Sequence, residues 1–501
     1  MDLYMGVDIG TSGVRAALFD KNGKQLGLHH EEYPMICSEP GMGELDPERV
    51  FNSTINVVKL CIEISGADSK NIAAIGFSTQ LFSILAVDSE GKCLTNVITW
   101  ADKRSIAHAD LIKDKHDYVK MYNSTGCRAQ HPMYPVSKVL WLKDTMPEIF
   151  AKTHKLVSIK EYVLFKLFGK YVIDITDAST TGYFNIHDFT WDKYIIDDVL
   201  GISPDILGEA VDCTFVLKNM KKEYAEKMGI SPETPVVIGS GDGMLANVGC
   251  GVFDNTSMSS TIGTSGALRI ATEKPILDPL QRTWCYCFTR DTWVAGGAIN
   301  NGGIVLKWLR DQHRAAYEAE AREADMDDVY QLFDSYAMEI NPGSDGLIFL
   351  PFLTGERSPN WNASTKGTIH GMQLIHNKKH LVRAAMEAVM YRMFSVYEIL
   401  TAFSDNVKLV LANGGYANSD IWLQIQADVF NREIAVAGIG EASAFGASYV
   451  AMAATGAISS LRQPLPAMQP KKAIKPIREN SEIYKNAYKN FKDLYGRIYT
   501  K

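Results

Sequence analysis

The pentapeptide Ile-Gly-Thr-Ser-Gly occurs twice in the chain, at residues 9–13 and again at residues 262–266. The two copies are separated by about half of the 501 residues, a spacing typical of an internal duplication. Each copy is predicted to end a strand in the same glycine turn. Glycine lets the backbone come close to a ligand, and the hydroxyl groups add hydrogen-bond donors. Two such loops facing each other across a cleft predict a polyphosphate site, whereas one alone would indicate an ordinary hairpin.

The residues that flank the first copy give it a charge pattern. Residues 5–9 and 14–20 alternate as strands do, so the loop is predicted to join two strands, unlike the strand–turn–helix of a P-loop. Asp8 enters the turn, and a carboxylate beside phosphate needs a cation, which predicts Mg²⁺ bound directly or through water. Arg15 leaves the turn and is predicted to donate to phosphate oxygens. Thr261 replaces Asp8 in the second copy, so the two halves are expected to have different roles.

Composition limits the class of protein. A chain of 501 residues is long enough for two or more domains, and 46% apolar with 22% charged residues is ordinary for a soluble globular protein. The net charge of -7 argues against a nucleic-acid or membrane-surface partner, and no apolar run is long enough to span a bilayer. Eight scattered cysteines without metal-ligand spacing, and no secretory leader, predict a cytoplasmic protein with reduced thiols.

Strand-like and helix-like segments alternate along the chain, which predicts an α/β fold. Residues 236–243 are predicted to be a strand that runs into a helix, and we place the domain boundary close behind it, around Val252. The prediction is one domain over residues 1–251 and a second over residues 252–501. Strand patterns cover residues 71–79, 93–100, 155–160 and 406–412, and helix patterns cover residues 47–64, 161–168, 380–400 and 481–499.

One aspartate lies in a glycine-rich stretch where the two halves meet. Asp242 has a glycine on each side and follows a predicted strand, so a substrate has room to approach it. In phosphoryl transfer an aspartate accepts the proton of the attacking hydroxyl, and an ordinary carboxylate pKa is sufficient. The local sequence favours equally a catalytic base and a helix cap.

Polar residues also follow predicted strands of the first half. Gln80 ends one strand, while Trp100, Asp102 and Arg104 follow another. Trp100 is predicted to stack on a sugar face, and the two charged residues to hydrogen-bond hydroxyls or a carboxylate. The alternative is a surface salt bridge beside a core tryptophan. His131 and Lys160 are further candidates, although single polar residues at such positions are more often structural.

A glycine turn in the second half precedes a helix. Asn413 and two glycines end a short strand, and Ser419 is predicted to cap the helix that follows. Free N–H groups at a helix N-terminus suit the anionic or polar edge of a nucleotide. The turn by itself is a weak signal, because Gly-Gly turns are common.

These segments together resemble the FGGY family of carbohydrate kinases. The resemblance rests on residues 6–15, 133–142, 350–359 and 367–387, and it extends over nearly the whole chain. It implies a two-lobed, duplicated α/β structure of the actin-like ATPase (ribonuclease H-like) fold, with the active site in the interlobe cleft.

The resemblance also implies roles for individual residues. Asp242 becomes the catalytic base and Asp8 the acid associated with Mg²⁺. Gln80, Asp102 and Arg104 fall where relatives bind the sugar. The residues implied to hold ATP are Thr11, Ser12, Arg15, Gly263, Thr264, Gly303, Gly415 and Asn418.

Within the family, the sequence resembles the branch that phosphorylates gluconate. This implies transfer of the γ-phosphoryl group of ATP to the terminal hydroxyl of D-gluconate, giving 6-phospho-D-gluconate. Arg104, Lys160 and His131 are the expected partners of the substrate carboxylate. Leu81 and Phe82 depart from the Met-His pair that is usual in relatives.

Three alternatives remain open on the sequence. The acceptor is xylulose or another polyol, or the protein is a regulator that binds sugar and ATP without catalysis, because a fold does not fix a function. A nicotinamide dehydrogenase is disfavoured, since no Gly-x-Gly-x-x-Gly turn opens a helix after the first strand. A homodimer is expected only by analogy with relatives.

Overall fold

Strands and helices alternate along the chain, and the computed structural model describes residues 2–500. In chain order the strands are β1 (Leu3–Ile9), β2 (Gly13–Asp20), β3 (Gln25–Glu32), β4 (Glu44–Leu45), β5 (Ile72–Thr79), β6 (Leu85–Val87), β7 (Val97–Ile98), β8 (Lys155–Val157), β9 (Val172–Asp174), β10 (Phe184–Asn185), β11 (Thr190–Trp191), β12 (Glu209–Val211), β13 (Val216–Leu217), β14 (Val236–Gly241), β15 (Ser257–Ile262), β16 (Gly266–Thr272), β17 (Trp284–Thr289), β18 (Thr292–Ile299), β19 (Ile348–Leu350), β20 (Thr368–His370), β21 (Leu409–Asn413), β22 (Glu433–Val436) and β23 (Lys472–Ile474).

The α-helices are α1 (Pro47–Ser65), α2 (Ile106–Lys115), α3 (Tyr118–Thr125), α4 (Pro135–Thr145), α5 (Pro147–Lys152), α6 (Ile159–Phe168), α7 (Ile175–Ser179), α8 (Lys222–Met228), α9 (Asp242–Gly249), α10 (Ile304–Gln312), α11 (Arg314–Glu323), α12 (Val329–Met338), α13 (Lys378–Phe403), α14 (Asp420–Phe430), α15 (Ala442–Ala454) and α16 (Arg478–Tyr499). Short 3₁₀ turns occupy Ser69–Asn71, Pro204–Ile206, Ser344–Gly346, Gly415–Asn418 and Pro466–Met468, and a π-helical turn spans Ile195–Leu200.

Two mixed sheets form the centres of the two halves. The first has the strand order β13-β14-β5-β1-β2-β3, and the second has the order β17-β18-β16-β15-β21-β22-β23. In each sheet an antiparallel hairpin, β1–β2 or β15–β16, is extended by two parallel strands, β5 and β14 or β21 and β22. The duplicated, two-lobed α/β arrangement predicted from the repeated pentapeptide is confirmed.

The two pentapeptides occupy equivalent places, because each forms the turn of its hairpin. In the first, Ile9 pairs with Val14, and the amide of Gly10 donates to the carbonyl of Gly13 at 2.9 Å. In the second, the amide of Gly263 donates to the carbonyl of Ser265 at 3.0 Å. The identical residues therefore mark the same structural position in both lobes.

Two predicted strands are shorter than expected. Of the strand predicted over residues 93–100, only β7 at Val97–Ile98 forms. The sequence predicts a strand over residues 155–160, but β8 ends at Val157 because a capping box begins α6 at the next residue. The Ser158 hydroxyl accepts from the Glu161 amide, and the Glu161 carboxylate accepts from the Ser158 amide. Lys160 therefore lies in the first turn of a helix and not at the end of a strand.

Helix α15 joins the two lobes. Its sequence lies in the second half, yet it packs on β1 and β5 of the first sheet and on α9. A Cβ on Gly6 would lie 1.7 Å from the carbonyl oxygen of Ala444, and one on Gly76 would lie 2.0 Å from that of Ala447. The helix thus rests directly on strand backbone. The predicted boundary between residues 251 and 252 lies between α9 and β15.

A single methyl group at this joint is expected to destabilise the protein. Gly76→Ala places a Cβ against backbone that has no room to move, so we expect a loss of about 1–3 kcal/mol in the free energy of unfolding, measured in urea. Gly440→Ala is the control, because a Cβ there meets no atom within 4 Å. Equal losses from the two substitutions would contradict this account of the joint.

Two expectations from the sequence concern the state of the cysteines and a membrane-spanning segment. All eight cysteines are free thiols. Among residues 2–500, no helix combines the length and the apolarity that crossing a bilayer requires.

Candidate active site

The carboxyl ends of the parallel strands β1, β5 and β14 meet at one edge of the first sheet, the place where α/β sheets bind ligands. Asp8, near the end of β1, faces Ser78 on β5, and the Ser78 hydroxyl donates to its carboxylate at 2.6 Å. Burial raises the pKa of Asp8, and the hydrogen bond from Ser78 opposes the shift. Gln80 follows β5 directly, and Asp242 follows β14.

Asp242 is the first residue of α9, and Gly241 is its N-cap. One carboxylate oxygen accepts from the amide of Gly243 at 2.6 Å, and the other makes no hydrogen bond to any residue from 2 to 500. A capping side chain instead reaches the amides two or three residues further on. Burial, and after it the charge of Asp8, raises the pKa of Asp242 to about 6, against the attraction of Arg269. The free oxygen favours the catalytic role over the cap.

The first predicted phosphate loop, residues 9–13, is hydrogen-bonded to two of the predicted sugar-binding residues. The Thr11 hydroxyl donates to the Gln80 side chain at 2.9 Å and accepts from the Trp100 indole at 2.9 Å. The Gln80 amide donates to the carbonyl of Gly10 at 3.3 Å. The Trp100 side chain is otherwise open, since 43% of the residue is exposed. Ser12, at the tip of the loop, is exposed as well.

Arg15 reaches from the first lobe to the second. Its guanidinium lies 2.9 Å from the carboxylate of Glu441, the residue before α15, and 3.6 Å from Asp8. The neighbouring Ser443 hydroxyl donates to the carbonyl of Asp242 at 3.2 Å. The phosphate loop, the candidate base and the start of α15 are therefore in direct contact across the cleft.

The second phosphate loop borders a cavity of about 490 Å³. A Cβ on Gly263 or on Gly415 would meet no atom within 4 Å, so both glycines leave space for a ligand. Ser419 caps α14 as predicted, because its hydroxyl accepts from the amide of Trp422. The cavity is lined by all five residues predicted to hold the nucleotide in this half, namely Gly263, Thr264, Gly303, Gly415 and Asn418.

Two residues near these sites are not found by the sequence analysis. Asp334 lines the cavity and accepts from the Ser419 hydroxyl at 2.7 Å, and burial raises its pKa to about 6. Arg269, on β16, donates to Thr261 at 3.3 Å and lies against Gly243, where an added Cβ would be 3.1 Å from its guanidinium. Neither residue belongs to a local motif, because each is brought to its site by the packing of distant elements.

Arg104 is not available to a substrate carboxylate in this structure. Its guanidinium is bonded to Asp102 at 2.7 Å, to Glu39 at 3.1 Å and to Glu44. Three carboxylates around one cation leave this position negative, which repels an anion. Asp102 is itself buried and accepts from the amide of Gly43 at 3.0 Å. The prediction that Asp102 and Arg104 contact the sugar is therefore corrected. In this structure both side chains belong to an ion-pair network with Glu39 and Glu44.

Lys160 is also absent from the cleft. Its ammonium is fully buried and lies 2.5 Å from Asp174 and 3.5 Å from Asp177. A buried lysine with two carboxylate partners is a structural ion pair, and separating it to contact a substrate would leave buried charge unpaired. The prediction that Lys160 binds the sugar acid is corrected for this reason.

His131 lies between the two lobes. Its ring packs edge-to-face on Trp361 at 5.2 Å between centroids, and its Nδ1 accepts from the amide of Met133 at 3.2 Å. Burial, and after it the positive charges of Arg357 and Arg128, lowers the pKa of His131 to about 3. The imidazole is therefore neutral, with its proton on Nε2.

Removing Arg104 is expected to affect stability more than substrate recognition. Arg104→Ala leaves Asp102 and Glu44 buried without their partner, so we expect a loss of about 3–5 kcal/mol in the free energy of unfolding. The ratio of kcat/KM for an anionic and a neutral sugar substrate should remain within about threefold of wild type. A loss confined to the anionic substrate, without loss of stability, would restore the role predicted from the sequence.

The acidic residues of the cleft are candidate ligands for a metal ion. Within residues 2–500, no three His, Cys, Asp or Glu side chains are grouped to hold a metal. Asp8 and Asp242 nevertheless face the same cleft, and their mutual repulsion contributes to the raised pKa of Asp242. Two carboxylates with phosphate oxygens are a ligand set that suits Mg²⁺, so the residues present fit such an ion.

The fold and the site together define a class of protein. Two lobes of one duplicated sheet plan, each presenting a glycine hairpin turn, with a carboxylate at their junction, are the features of actin-like nucleotide-binding proteins.

Comparison with known proteins supplies the family. Residues 3–249 match the N-terminal domain of the FGGY family of carbohydrate kinases, and residues 258–455 match its C-terminal domain. The chain belongs to this family, whose members are ATP-dependent phosphotransferases. The family and the actin-like fold implied by the sequence motifs are thereby confirmed.

Individual relatives carry two different substrate names. Gluconokinase of Bacillus subtilis (strain 168) is 39% identical over 462 residues, which are 92% of this chain and 89% of that protein. The crystal structure of gluconate kinase from Lactobacillus acidophilus has a TM-score of 0.92 at 31% identity, covering 100% of this chain and 99% of that one. A ligand-bound xylulose kinase from the same organism has the same TM-score, identity and coverage. Structural likeness therefore does not discriminate between the two acceptors.

Proposed function

We propose that the protein transfers the γ-phosphoryl group of ATP to the terminal hydroxyl of D-gluconate, giving 6-phospho-D-gluconate. The observation that carries this substrate is the 39% identity, over 92% of the chain, to a relative named gluconokinase. The site supports an anionic acceptor, because positive side chains without carboxylate partners surround His131 in the same interlobe region.

Asp242 is proposed as the general base. As the bond to phosphorus forms, the proton of the terminal hydroxyl passes to the carboxylate oxygen that no residue from 2 to 500 occupies. A pKa of about 6 leaves this carboxylate ionised at neutral pH. Arg15 and Arg269, one from each lobe, lie near it and offset charge on the transferred group.

Alignment of the two substrates accounts for much of the expected rate. The nucleotide is proposed to lie in the cavity of the second lobe, with its phosphates between the two glycine loops, and the sugar beside Gln80 and Trp100. Holding the hydroxyl in line with phosphorus replaces an encounter in solution by a fixed geometry. Closure of the lobes on bound sugar would exclude water, which otherwise competes as acceptor.

Mg²⁺ is proposed to bind beside Asp8, with Asp242 as its neighbour. Bound there together with ATP, it would neutralise charge on the β- and γ-phosphate oxygens. Asp8 accepts a hydrogen bond from Ser78, which holds the carboxylate toward the cleft edge of β1.

Xylulose is the second candidate acceptor, favoured by the equal similarity to a ligand-bound xylulose kinase structure. The departure at Leu81 and Phe82 bears on this choice. Phe82 has a φ of 68° and packs edge-to-face on Tyr134 at 5.4 Å, so an aromatic ring takes the place of the usual histidine. Because a phenyl ring offers no hydrogen bond, we expect the sugar contacts at this position to differ from those of relatives that carry the histidine.

A panel of acceptors tests the proposal. ADP release is measured with ATP, Mg²⁺ and equal concentrations of D-gluconate, D-xylulose, glycerol and D-glucitol. We expect kcat/KM to be highest for gluconate, with phosphate on its terminal carbon. A higher value for xylulose would transfer the assignment to the second candidate. Binding of gluconate and ATP without product would indicate a regulator.

A further inference from the structure

Two arginines and one buried lysine around His131 form no ion pair with an acid in the part of the chain that the structure describes. Within residues 2–500, none of the side chains of Arg128, Arg357 and Lys138 forms an ion pair with Asp or Glu. Arg128 donates to the carbonyl of Gln281 at 3.0 Å, and Arg357 donates to the Asn300 side chain at 2.7 Å. Neutral partners satisfy hydrogen bonds but do not compensate charge, so the cluster retains a net positive charge.

The cluster is built from both lobes. Arg128 and His131 lie on the loop between α3 and α4 of the first half, while Arg357 and Trp361 lie after β19 of the second half. The Trp361 ring joins them, because the His131 ring lies 5.2 Å from its centroid and the Arg128 guanidinium lies 5.3 Å from it. The loop of Arg128 is fixed to the second half, since the amide of Cys285 donates to the carbonyl of Gly126 at 3.1 Å.

The hydrogen-bond donors of the cluster suit a carboxylate. An arginine presents a planar fork of N–H groups that matches the two oxygens of a carboxylate. The neutral His131 adds its Nε2–H, because Nδ1 is occupied by the amide of Met133. Lys138 is fully buried and donates to the carbonyls of Met133 and Phe82, and burial lowers its pKa to about 7. It therefore adds only part of a positive charge near neutral pH, and the two arginines provide most of the positive potential.

Strained backbone surrounds the same cluster. Phe82, Gln281 and Trp361 have φ values of 68°, 54° and 49°. Positive φ is unfavourable for bulky residues and is retained mainly where ligands are held. Gln281 also accepts from the side chain of Gln130 at 2.8 Å, which ties this strained turn to the loop that carries Arg128.

The cluster adjoins the site of phosphoryl transfer. Burial lowers the pKa of Arg269, the charge of Asp242 opposes this shift, and the nearby charge of Arg357 adds to it. The aromatic pair Tyr134 and Tyr286, whose hydroxyls are 2.9 Å apart, lies beside the Phe82 ring that follows Gln80. The candidate base and the positive cluster are thus neighbours, linked by these arginine and aromatic side chains.

We propose that Arg128 and Arg357, together with the Nε2–H of His131, bind the carboxylate of the sugar-acid substrate across the two lobes. This inference rests on the proposed function, because it names the group that distinguishes gluconate from a neutral acceptor. Since the carboxylate contacts both lobes at once, its binding also draws them together around the acceptor hydroxyl. Arg104 and Lys160, which carry their own acids, have no part in this recognition.

The test compares two substrates that differ only in the group at the carboxyl end. D-gluconate and D-gluconamide have the same carbon chain, and the amide is neutral. The values of kcat/KM for both are measured with wild type, Arg128→Gln and Arg357→Gln. Arg290→Gln is the control, because it removes an exposed arginine that lies over the Phe189 ring. Thermal unfolding of each variant confirms that it is folded.

The expected result is a loss of about 10- to 100-fold in kcat/KM for gluconate with either cluster variant, the scale of one charge-assisted hydrogen bond. For gluconamide the loss should be less than about threefold, and the control should change neither value. Equal losses for both substrates would overturn the inference, since they would indicate a structural role or contacts to phosphate. Wild type that phosphorylates neutral sugars but not gluconate would instead overturn the proposed function, and this inference with it.

Discussion

Asp242→Asn is expected to lower kcat by about 10²- to 10⁴-fold, the usual contribution of a general base. Asparagine has the same shape and can still accept from the amide of Gly243, but it cannot take the proton of the acceptor hydroxyl. The α9 N-terminus should therefore remain intact. The measurement is steady-state ADP release at saturating ATP and gluconate.

The control for this variant is nucleotide binding. The cavity proposed to hold the nucleotide is formed by the second lobe and does not include Asp242, so the Kd for ADP, measured by calorimetry, should stay within about threefold of wild type. Retention of more than a tenth of wild-type kcat would show that Asp242 is not the base. A parallel loss of ADP binding would instead indicate a structural role at the lobe junction.

Gly415→Phe is expected to have a comparably large effect on the nucleotide. A side chain at this position points into open space within the cavity of about 490 Å³. A phenyl ring there would occupy volume that the nucleotide needs, so we expect the Kd for ADP to rise on the order of 10²-fold or more. Binding of gluconate, which is proposed to lie on the other lobe, should change little.

Gly415→Ala is the control that distinguishes the effect of a large side chain from the effect of replacing glycine in the backbone. A Cβ at this position meets no atom within 4 Å, so alanine leaves most of the cavity free and should raise the Kd by less than about fivefold. A Phe variant that binds ADP as tightly as the Ala variant would place the nucleotide elsewhere.

The features that the sequence predicted well are those encoded in short segments. The repeated pentapeptide predicted two equivalent hairpin turns, because glycine and small hydroxyl residues at a strand end specify such a turn locally. The junction of β14 and α9 placed Asp242 at the lobe interface for the same reason. The glycine turn before Ser419 predicted the helix cap, and its residues line the cavity of the second lobe. Nucleotide binding there stays a prediction.

The errors concern side chains whose partners are distant in sequence. Arg104 and Lys160 follow the pattern of polar residues after strands, but Glu39 and Glu44 neutralise the first and Asp174 the second. The capping box at Ser158 was present in the sequence and would have placed Lys160 in a helix. Burial and charge balance in three dimensions decide such cases, and a linear pattern does not contain them.

The residues that the sequence missed illustrate the same limit. Arg269, Asp334 and Arg128 carry no local signal, because the packing of distant elements brings each of them to its site. Arg357 lies in a segment that carries the family resemblance, but the sequence does not show that it lies near Arg128 and His131. The packing of α15 on Gly6 and Gly76 also depends on contacts between the two ends of the chain. The cytoplasmic location and the homodimer stay predictions.

The central claim is that the two glycine loops grip one triphosphate while Asp242 directs the acceptor hydroxyl to it. A crystal structure with gluconate and a non-hydrolysable ATP analogue tests this most directly. The account predicts the γ-phosphorus between residues 10–13 and residues 263–265, with the terminal hydroxyl of gluconate in hydrogen-bond contact with Asp242. A nucleotide bound outside this cleft, or an acceptor hydroxyl held away from Asp242, would contradict it.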